Sequence, residues 1–455
     1  MQRHAPDGTQ PPVAYPRSHT RRISRWSPIF RSTTLQRVPI SGHQRAGRGY
    51  GEVVEAGTED WHRALTTLVT AGHTVQASGL SSLLNNAVRP LGIDVIVYLA
   101  DVEQRALRML PQPGERQRDP LLIEGSLGGR AFRMVTPLVA SVTPRRLWMP
   151  LVDGTERLGV LDIGLPPRMD PESVVVRANL AAIAGLLAHL VVAKVHYGDT
   201  LSRARRSQPM STGAETLWRL LPPRTFTTDR LVISANLEPC YTVGGDAFDY
   251  AVDDDVARVA IFDAVGHGLP AALTATVALG ASRSARVQGQ HLGDIARAVD
   301  QAILGEFPDC RFVTAVMTEL DLHTGVLRYF NAGHPPPVLI RNGKAVAMLD
   351  KGRRVPLGLD EATADIAELS LEPEDRLLFY TDGFTEARDE RDEQFGLERL
   401  IDFAERHAAA GLPPPETLRR LTHDLVDYQH GPLRDDASLL LLSWKLLSDE
   451  EQTLP

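Results

Sequence analysis

Four acidic points mark this chain of 455 residues. Gly244-Gly245-Asp246-Ala247-Phe248-Asp249 and Asp263-Ala264-Val265-Gly266-His267-Gly268 each set a carboxylate among glycines at the expected end of a strand. Thr381-Asp382-Gly383 and Asp435-Asp436 follow later. Carboxylate oxygens without an accompanying Cys or His cluster are the ligands of hard divalent ions such as Mg²⁺ or Mn²⁺. Glycine lets the backbone turn tightly and approach an ion closely. The four points are therefore expected to converge on a pair of such ions.

The elements around them are legible from periodicity and turn chemistry. A short helix ends near 217–223, a strand covers 230–237, and a second strand over 256–262 delivers Asp263. An Ala-rich helix follows over 268–286 with Pro270 near its start, then another over 292–305. Strands at 312–320 and 325–331 pair across residues 321–324, and 338–341 pairs with 344–349 across Asn342-Gly343, a strong hairpin turn. The apolar strand 376–380 delivers Thr381-Asp382-Gly383, helices follow near 395–408 and 415–429, and the last strand, 437–444, starts directly after Asp435-Asp436. Hairpins with paired helices between them imply antiparallel sheets covered by helices.

Ahead of this region, a first folded unit is expected from about Trp61. It holds a helix over 80–88 closed by Pro90 and Gly92, a buried strand over 94–99, and strands 147–152 and 158–163 around the turn Asp153-Gly154. Asp170 followed by Pro171 reads as a helix cap with proline at the first position, opening a long helix through Leu190 and past Lys194. The strongly apolar uncharged run 178–193 is shorter than the roughly 20 residues of a membrane span and reads as a buried helix. Residues 199–212 carry Arg203, Arg205 and Arg206 and read as a helical connector.

Composition bounds the rest. Hydrophobic residues make up 43% and charged residues 23%, ordinary soluble usage. The net charge of −8 hides an N-terminal arm in which the first 50 residues hold nine arginines and one acid, Asp7. The arm reads as disordered, and the acidic remainder offers no nucleic-acid surface. Cys240 and Cys310 form no CxxC motif, are expected to be small buried side chains, and place the chain in a reducing cytoplasm. No secretory signal is apparent.

Eight motifs in order carry a resemblance: Leu220-Leu221-Pro222, Gly244-Gly245-Asp246, Asp263-Ala264-Val265-Gly266-His267-Gly268, Phe312-Val313-Thr314-Ala315, Asn331-Ala332-Gly333-His334-Pro335-Pro336, Pro356-Leu357-Gly358, Tyr380-Thr381-Asp382-Gly383-Phe384-Thr385-Glu386-Ala387 and Asp435-Asp436-Ala437. Together they resemble the bacterial metal-dependent serine/threonine phosphatases of the RsbU and sporulation stage II protein E group, a branch of the PPM or type 2C superfamily. The first unit resembles a GAF domain, on Met149-Pro150-Leu151-Val152 and Leu158-Gly159-Val160-Leu161.

The resemblance implies an α+β chain: a PPM-type α-β-β-α sandwich of two antiparallel sheets, preceded by a GAF-like α/β sensor. It divides the chain into a basic arm (1–57), a GAF-like domain (58–198), a helical linker (199–216), a phosphatase domain (217–446) and a tail (447–455). It implies two Mn²⁺ or Mg²⁺ ions, with Asp246 bridging, Asp263 and the Ala264 carbonyl at the first, and Asp382 with Asp435 at the second. Asp436 is the alternative to its neighbour. The implied substrate is a phosphoserine or phosphothreonine on a STAS-type anti-anti-sigma factor. A small-molecule ligand of the sensor and a homodimer are also implied.

Asp249 is expected to be a supporting group or turn cap, His267 a helix-packing or capping residue, and Asn331 to His334 a structural turn. Arg311, Arg353 and Arg354 are considered as phosphate contacts, with solvated surface as the plainer reading. Two departures from the family pattern stand out: Ala247 precedes Phe248 where an aromatic usually follows the first Asp, and the phosphate-gripping arginine of eukaryotic relatives has no counterpart. The rival reading is a phosphatase-fold binding module without catalysis; occupation of all four acidic positions argues against it.

Overall fold

The computed structural model describes residues 57–141, 145–360, 364–430, 433 and 435–445. Apart from Gly57, the basic arm lies outside the described residues, as does the C-terminal tail.

The chain opens with α1 (Thr58–Gly72), α2 (Leu80–Val88), β1 (Asp94–Ala100), β2 (Ala106–Met109), β3 (Leu121–Leu122), α3 (Leu127–Met134), β4 (Leu138–Ala140), β5 (Arg146–Asp153), β6 (Glu156–Gly164) and α4 (Val174–Lys194). The six strands form one antiparallel sheet in the order β3-β2-β1-β6-β5-β4. Alternation along β1 sends Val95, Val97 and Leu99 to the side of α1, α2 and α4. The opposite face meets α3 through Tyr98, Phe132 and Trp148.

Two local expectations shift. The long helix starts at Val174, capped by the Ser173 hydroxyl, which accepts from the Val176 amide. Asp170 instead accepts from the Glu172 amide, a local turn that ends before the helix begins. The hairpin turn falls on Gly154 and Thr155, one residue later than expected, because Asp153 is already paired with Glu156. By length and composition α4 with the turn after it, Val174–Tyr197, could cross a membrane; here Ile183, Leu187 and Val191 are buried against the first sheet.

The connector is two helices rather than one, α5 (Thr200–Arg205) and α6 (Thr212–Leu220). Pro209 disfavours helix in the residue before it, and Arg206 is already extended. Arg206 pairs with Glu215 across the break.

Then follow β7 (Thr225–Thr227), β8 (Leu231–Glu238), β9 (Asp246–Asp253), β10 (Val256–Ala264), α7 (Gly268–Val287), α8 (Leu292–Glu306), β11 (Val313–Asp321), β12 (Val326–Ala332), β13 (Val338–Arg341), β14 (Lys344–Met348), β15 (Arg353–Arg354), β16 (Ala367–Ser370), β17 (Arg376–Tyr380), α9 (Asp382–Glu386), α10 (Gly396–Ala409), α11 (Pro414–Gln429) and β18 (Ala437–Trp444). One sheet runs β15-β12-β11-β10-β9 with β16 on β12, the other β14-β13-β17-β18-β8-β7. Both are antiparallel except where Asn331 and Ala332 pair in parallel with Arg353 and Arg354. Phe248, Ile261, Leu327, Phe379 and Leu440 fill the space between the sheets. Alanines of α7 with Ile295 and Val299 of α8 cover one outer face, and Leu400, Leu418 and Leu421 of α10 and α11 cover the other. The result is an α-β-β-α sandwich of PPM type. The Ala247–Phe248 departure is accommodated by alternation: Ala247 faces the helix pair, and Phe248 faces the sandwich interior.

The first sheet meets the sandwich through polar groups. On α11, the Glu416 carboxylate is fully buried and accepts from Arg419 at 2.8 Å, Arg420 at 2.9 Å and Arg157 of β6 at 3.3 Å. Arg419 also pairs with Glu124, and the Glu156 carboxylate accepts from the Thr225 amide at 2.9 Å.

Candidate metal centre

The acids gather because strand ends do. Asp246 is the first residue of β9 rather than the last of a strand, and the register sets it directly opposite Asp263 near the end of β10. Asp382 opens α9 just after β17, and Asp435 and Asp436 directly precede β18, which pairs with β17. Two acids thus come from the first sheet and three from the second, Asp435 and Asp436 as neighbours.

Several contacts bind the two sheets together at this edge. The buried Thr381 hydroxyl donates to Asp246 Oδ2 at 2.7 Å and accepts from the Ser438 amide at 2.9 Å. Asp436 Oδ2 accepts from the amides of Gly244 at 2.8 Å, Gly245 at 2.5 Å and Asp246 at 3.3 Å. Three amides on one carboxylate oxygen form an anion cradle, so Asp436 fastens the first acidic loop to the second sheet. Asp435 is exposed, and its Oδ1 accepts only the neighbouring Asp436 amide among the described contacts. Of the adjacent pair, Asp435 is the one whose carboxylate is exposed and holds a single backbone amide rather than three.

The close approach requires glycine at two points. A Cβ on Gly383 would lie 1.9 Å from the Asp436 carbonyl oxygen, and one on Gly245 would lie 2.6 Å from the Ala264 carbonyl oxygen. That second contact places the Ala264 carbonyl against the first acidic loop.

The electrostatics are those of crowded like charges. Burial, then Asp263 and Asp436, holds the Asp246 carboxyl well above the ordinary range. Asp263 is pushed up to about 7, by burial first and then by Asp382, Asp435 and Asp436. Burial and the Asp435 charge raise Asp382, and burial raises Asp436 despite its three amides. Mutual repulsion among hard oxygen donors is the condition a divalent cation relieves. The donor set therefore fits Mg²⁺ or Mn²⁺ in chemistry. Among the described residues, no three His, Cys, Asp or Glu side chains are drawn together tightly enough to enclose an ion.

Other expected residues lie elsewhere. Asp249 is buried under Arg283 at 2.6 Å and Arg286 at 2.7 Å, tying β9 to α7. His267 occupies the N-cap of α7 by backbone only; its side chain makes no cap bond and is exposed, so the packing or capping role is not seen. The arginines are not arranged as phosphate contacts: Arg354 pairs with buried Asp300 at 2.6 Å, Arg353 donates to the Asp350 carbonyl, and Arg311 is held by Asp309 and the Pro270 carbonyl. Cys240 is buried as expected, whereas Cys310 is exposed in a turn at φ 58°. Thr314 and Thr381 lie within the motifs, where nothing local marks a role for either. Their signals are tertiary: the register that sets Thr314 opposite Asp263 and the bond from Thr381 to Asp246.

This fold, with acids at one edge of a two-sheet sandwich, has the α-β-β-α layering of PPM-type phosphatases. Residues 253–445 match the family of Stage II sporulation protein E (SpoIIE). Among similar proteins, phosphoserine phosphatase RsbU of Bacillus subtilis is 24% identical over 231 residues, covering 50% of this chain and 67% of that protein. Phosphoserine phosphatase RsbP of the same organism is 26% identical over 164 residues, covering 35% of this chain and 40% of that protein. The solved SiaA PP2C domain of Pseudomonas aeruginosa is 25% identical with a TM-score of 0.44, covering 56% of this chain and all of that one. The chain thus spans about two thirds of one curated relative and two fifths of the other.

Proposed function

We propose that the chain is a metal-dependent protein phosphatase that hydrolyses phosphoserine or phosphothreonine on a STAS-type protein in a partner-switching pathway. The observation that carries this is the convergence of Asp246, Asp263, Asp382 and Asp435 from both sheets onto one edge. Asp246 would serve both ions, Asp263 with the Ala264 carbonyl the first, and Asp382 with Asp435 the second. Asp436 acts as the anchor of the first loop, not as a ligand. When bound, two such ions lower the pKa of water and offset charge on phosphoryl oxygens. Thr381 orients Asp246. Arg311, Arg353 and Arg354 are each held by protein groups rather than set to grip phosphate, so binding energy comes from docking of the protein substrate.

The first sheet and its helices serve in this reading as a GAF-like sensor whose state reaches the sandwich through the Glu416 junction. Its α3 face is filled by Tyr98, Phe132 and Trp148, so a small-molecule ligand must open that face to enter. A homodimer and a cytoplasmic setting complete the proposal.

The open arrangement of the acids favours one alternative, a binding module that docks a phosphoprotein without turnover. Hydrolysis of a small aryl phosphate separates them, measured with and without Mn²⁺ for the wild type, Asp263→Asn and Asp382→Ala. Metal-dependent turnover abolished in both variants supports the phosphatase. A wild type inert toward both the aryl phosphate and a phosphorylated STAS protein refutes it.

A further inference from the structure

His334 is a buried imidazole at this edge. It is 2% exposed and follows β12 in a turn locked by Asn331. The Asn331 side chain donates to the His334 carbonyl at 2.8 Å and accepts from the His334 amide at 2.8 Å. The backbone that carries the ring is thereby held at both its amide and its carbonyl.

The two ring nitrogens reach both sheets. Nε2 lies 3.1 Å from the Tyr380 carbonyl, two residues before Asp382, and Nδ1 lies 2.7 Å from the Thr314 hydroxyl. A carbonyl only accepts, so Nε2 carries the hydrogen. Nδ1 is then a lone pair, and the Thr314 hydroxyl must donate to it. Burial pushes the imidazole down to about 3, consistent with a neutral ring.

The consequence falls on Asp263. Thr314 Oγ1 is 3.5 Å from Asp263 Oδ2, at the edge of hydrogen-bond reach. A hydroxyl has one proton, and at 2.7 Å His334 holds it. We propose that His334 is a positioning residue: its Nδ1 draws the Thr314 proton away from Asp263, leaving the Asp263 carboxylate to a divalent cation, while its Nε2 ties this strand end to the strand that delivers Asp382. This rests on the two-metal reading above.

The two halves of the ring can be removed separately. His334→Gln can still donate to the Tyr380 carbonyl but offers Thr314 no acceptor at the Nδ1 position. The freed hydroxyl turns to Asp263 and competes with the cation. His334→Asn keeps an acceptor near Nδ1 and loses the Tyr380 bond. Thr314→Val removes the competing proton altogether.

The test is calorimetric titration of MnCl₂ into the full chain, with urea unfolding measured in parallel. His334→Gln is expected to weaken Mn²⁺ binding about tenfold, the worth of one hydrogen bond to a charged group. His334→Asn and Thr314→Val are expected to stay within about threefold of wild type by the same scale. The double variant His334→Gln/Thr314→Val is expected to regain most of the lost affinity, which no loss of packing would produce. Equal affinity in all variants, or a double variant no tighter than His334→Gln, overturns the assignment. A wild type that binds no Mn²⁺ overturns the two-metal reading itself, and this inference with it.

Discussion

Replacing Glu416 by Gln tests the junction between the first sheet and the sandwich. Glu416 is wholly buried, and the side chains of Arg157 and Arg419 around it are 4% and 1% exposed. Burial alone would raise this carboxyl; the Arg419 hydrogen bonds and the Arg419 and Arg157 charges, with a bond from Arg420, bring it down to about 2. From an ordinary 4.5, that shift corresponds to about 3 kcal/mol of stability. The figure falls at the lower end of the roughly 3–5 kcal/mol cost of breaking a buried ion pair from one side. Burial lowers Arg157 while its partners hold Arg419 up, but arginine remains charged throughout, so the carboxylate is the group that titrates. A depressed carboxylate stabilises the fold above its unfolded pKa and loses that contribution as pH falls through its folded one. The wild type should therefore exceed Glu416→Gln by about 3 kcal/mol at pH 6, and by only about 1 kcal/mol at pH 3. His423, pushed down to about 4 by burial and by Arg419, titrates in the same window. Its own contribution is present in both proteins, so the difference between them follows Glu416. Urea unfolding at both pH values measures this. A difference that is absent at pH 6, or that does not shrink at pH 3, would refute the reasoning.

Three further outcomes are expected. Gly383→Ala should lose Mn²⁺-dependent turnover and Mn²⁺ binding by calorimetry, because its Cβ would stand 1.9 Å from the Asp436 carbonyl oxygen. Asp300→Asn should cost roughly 3–5 kcal/mol in urea unfolding, since it breaks a 2.6 Å pair with Arg354 in which both side chains are almost fully buried. A thiol reagent should titrate one cysteine in the native protein and two under denaturant: Cys310 is exposed, while Cys240 is buried with its thiol held well above the ordinary range by burial.

The chain's local chemistry determined a good deal without any coordinates. Asn342-Gly343 does turn a hairpin, both residues adopting positive φ of 52° and 74°. Apolar alternation set strands before Asp263 and Asp382, and the Ala-rich and Leu-rich runs became the helix pairs. These features depend on neighbours within a few residues, where turn propensity and side-chain period act directly. The acids were recognisable because several carboxylates in glycine-flanked turns suit few other purposes.

Only tertiary structure decided what depends on partners far along the chain. Asp435 and Asp436 are indistinguishable as adjacent letters. They part because the amides of Gly244 to Asp246, nearly 200 residues away, close on Asp436 alone. Glu416, Arg419 and Arg420 have the spacing of an ordinary solvated helix pair. Glu416 and Arg419 are buried because β6 and the loop after β3 lay Arg157 and Glu124 over them, while Arg420 stays partly exposed. Arg354, considered as a phosphate contact, is instead bound to Asp300. His334 belongs to a turn that reads as structural, and it is a turn. Its ring gains a further part because that turn stands where Thr314 of one sheet and Tyr380 of the other come within hydrogen-bond reach, a meeting that no local pattern encodes.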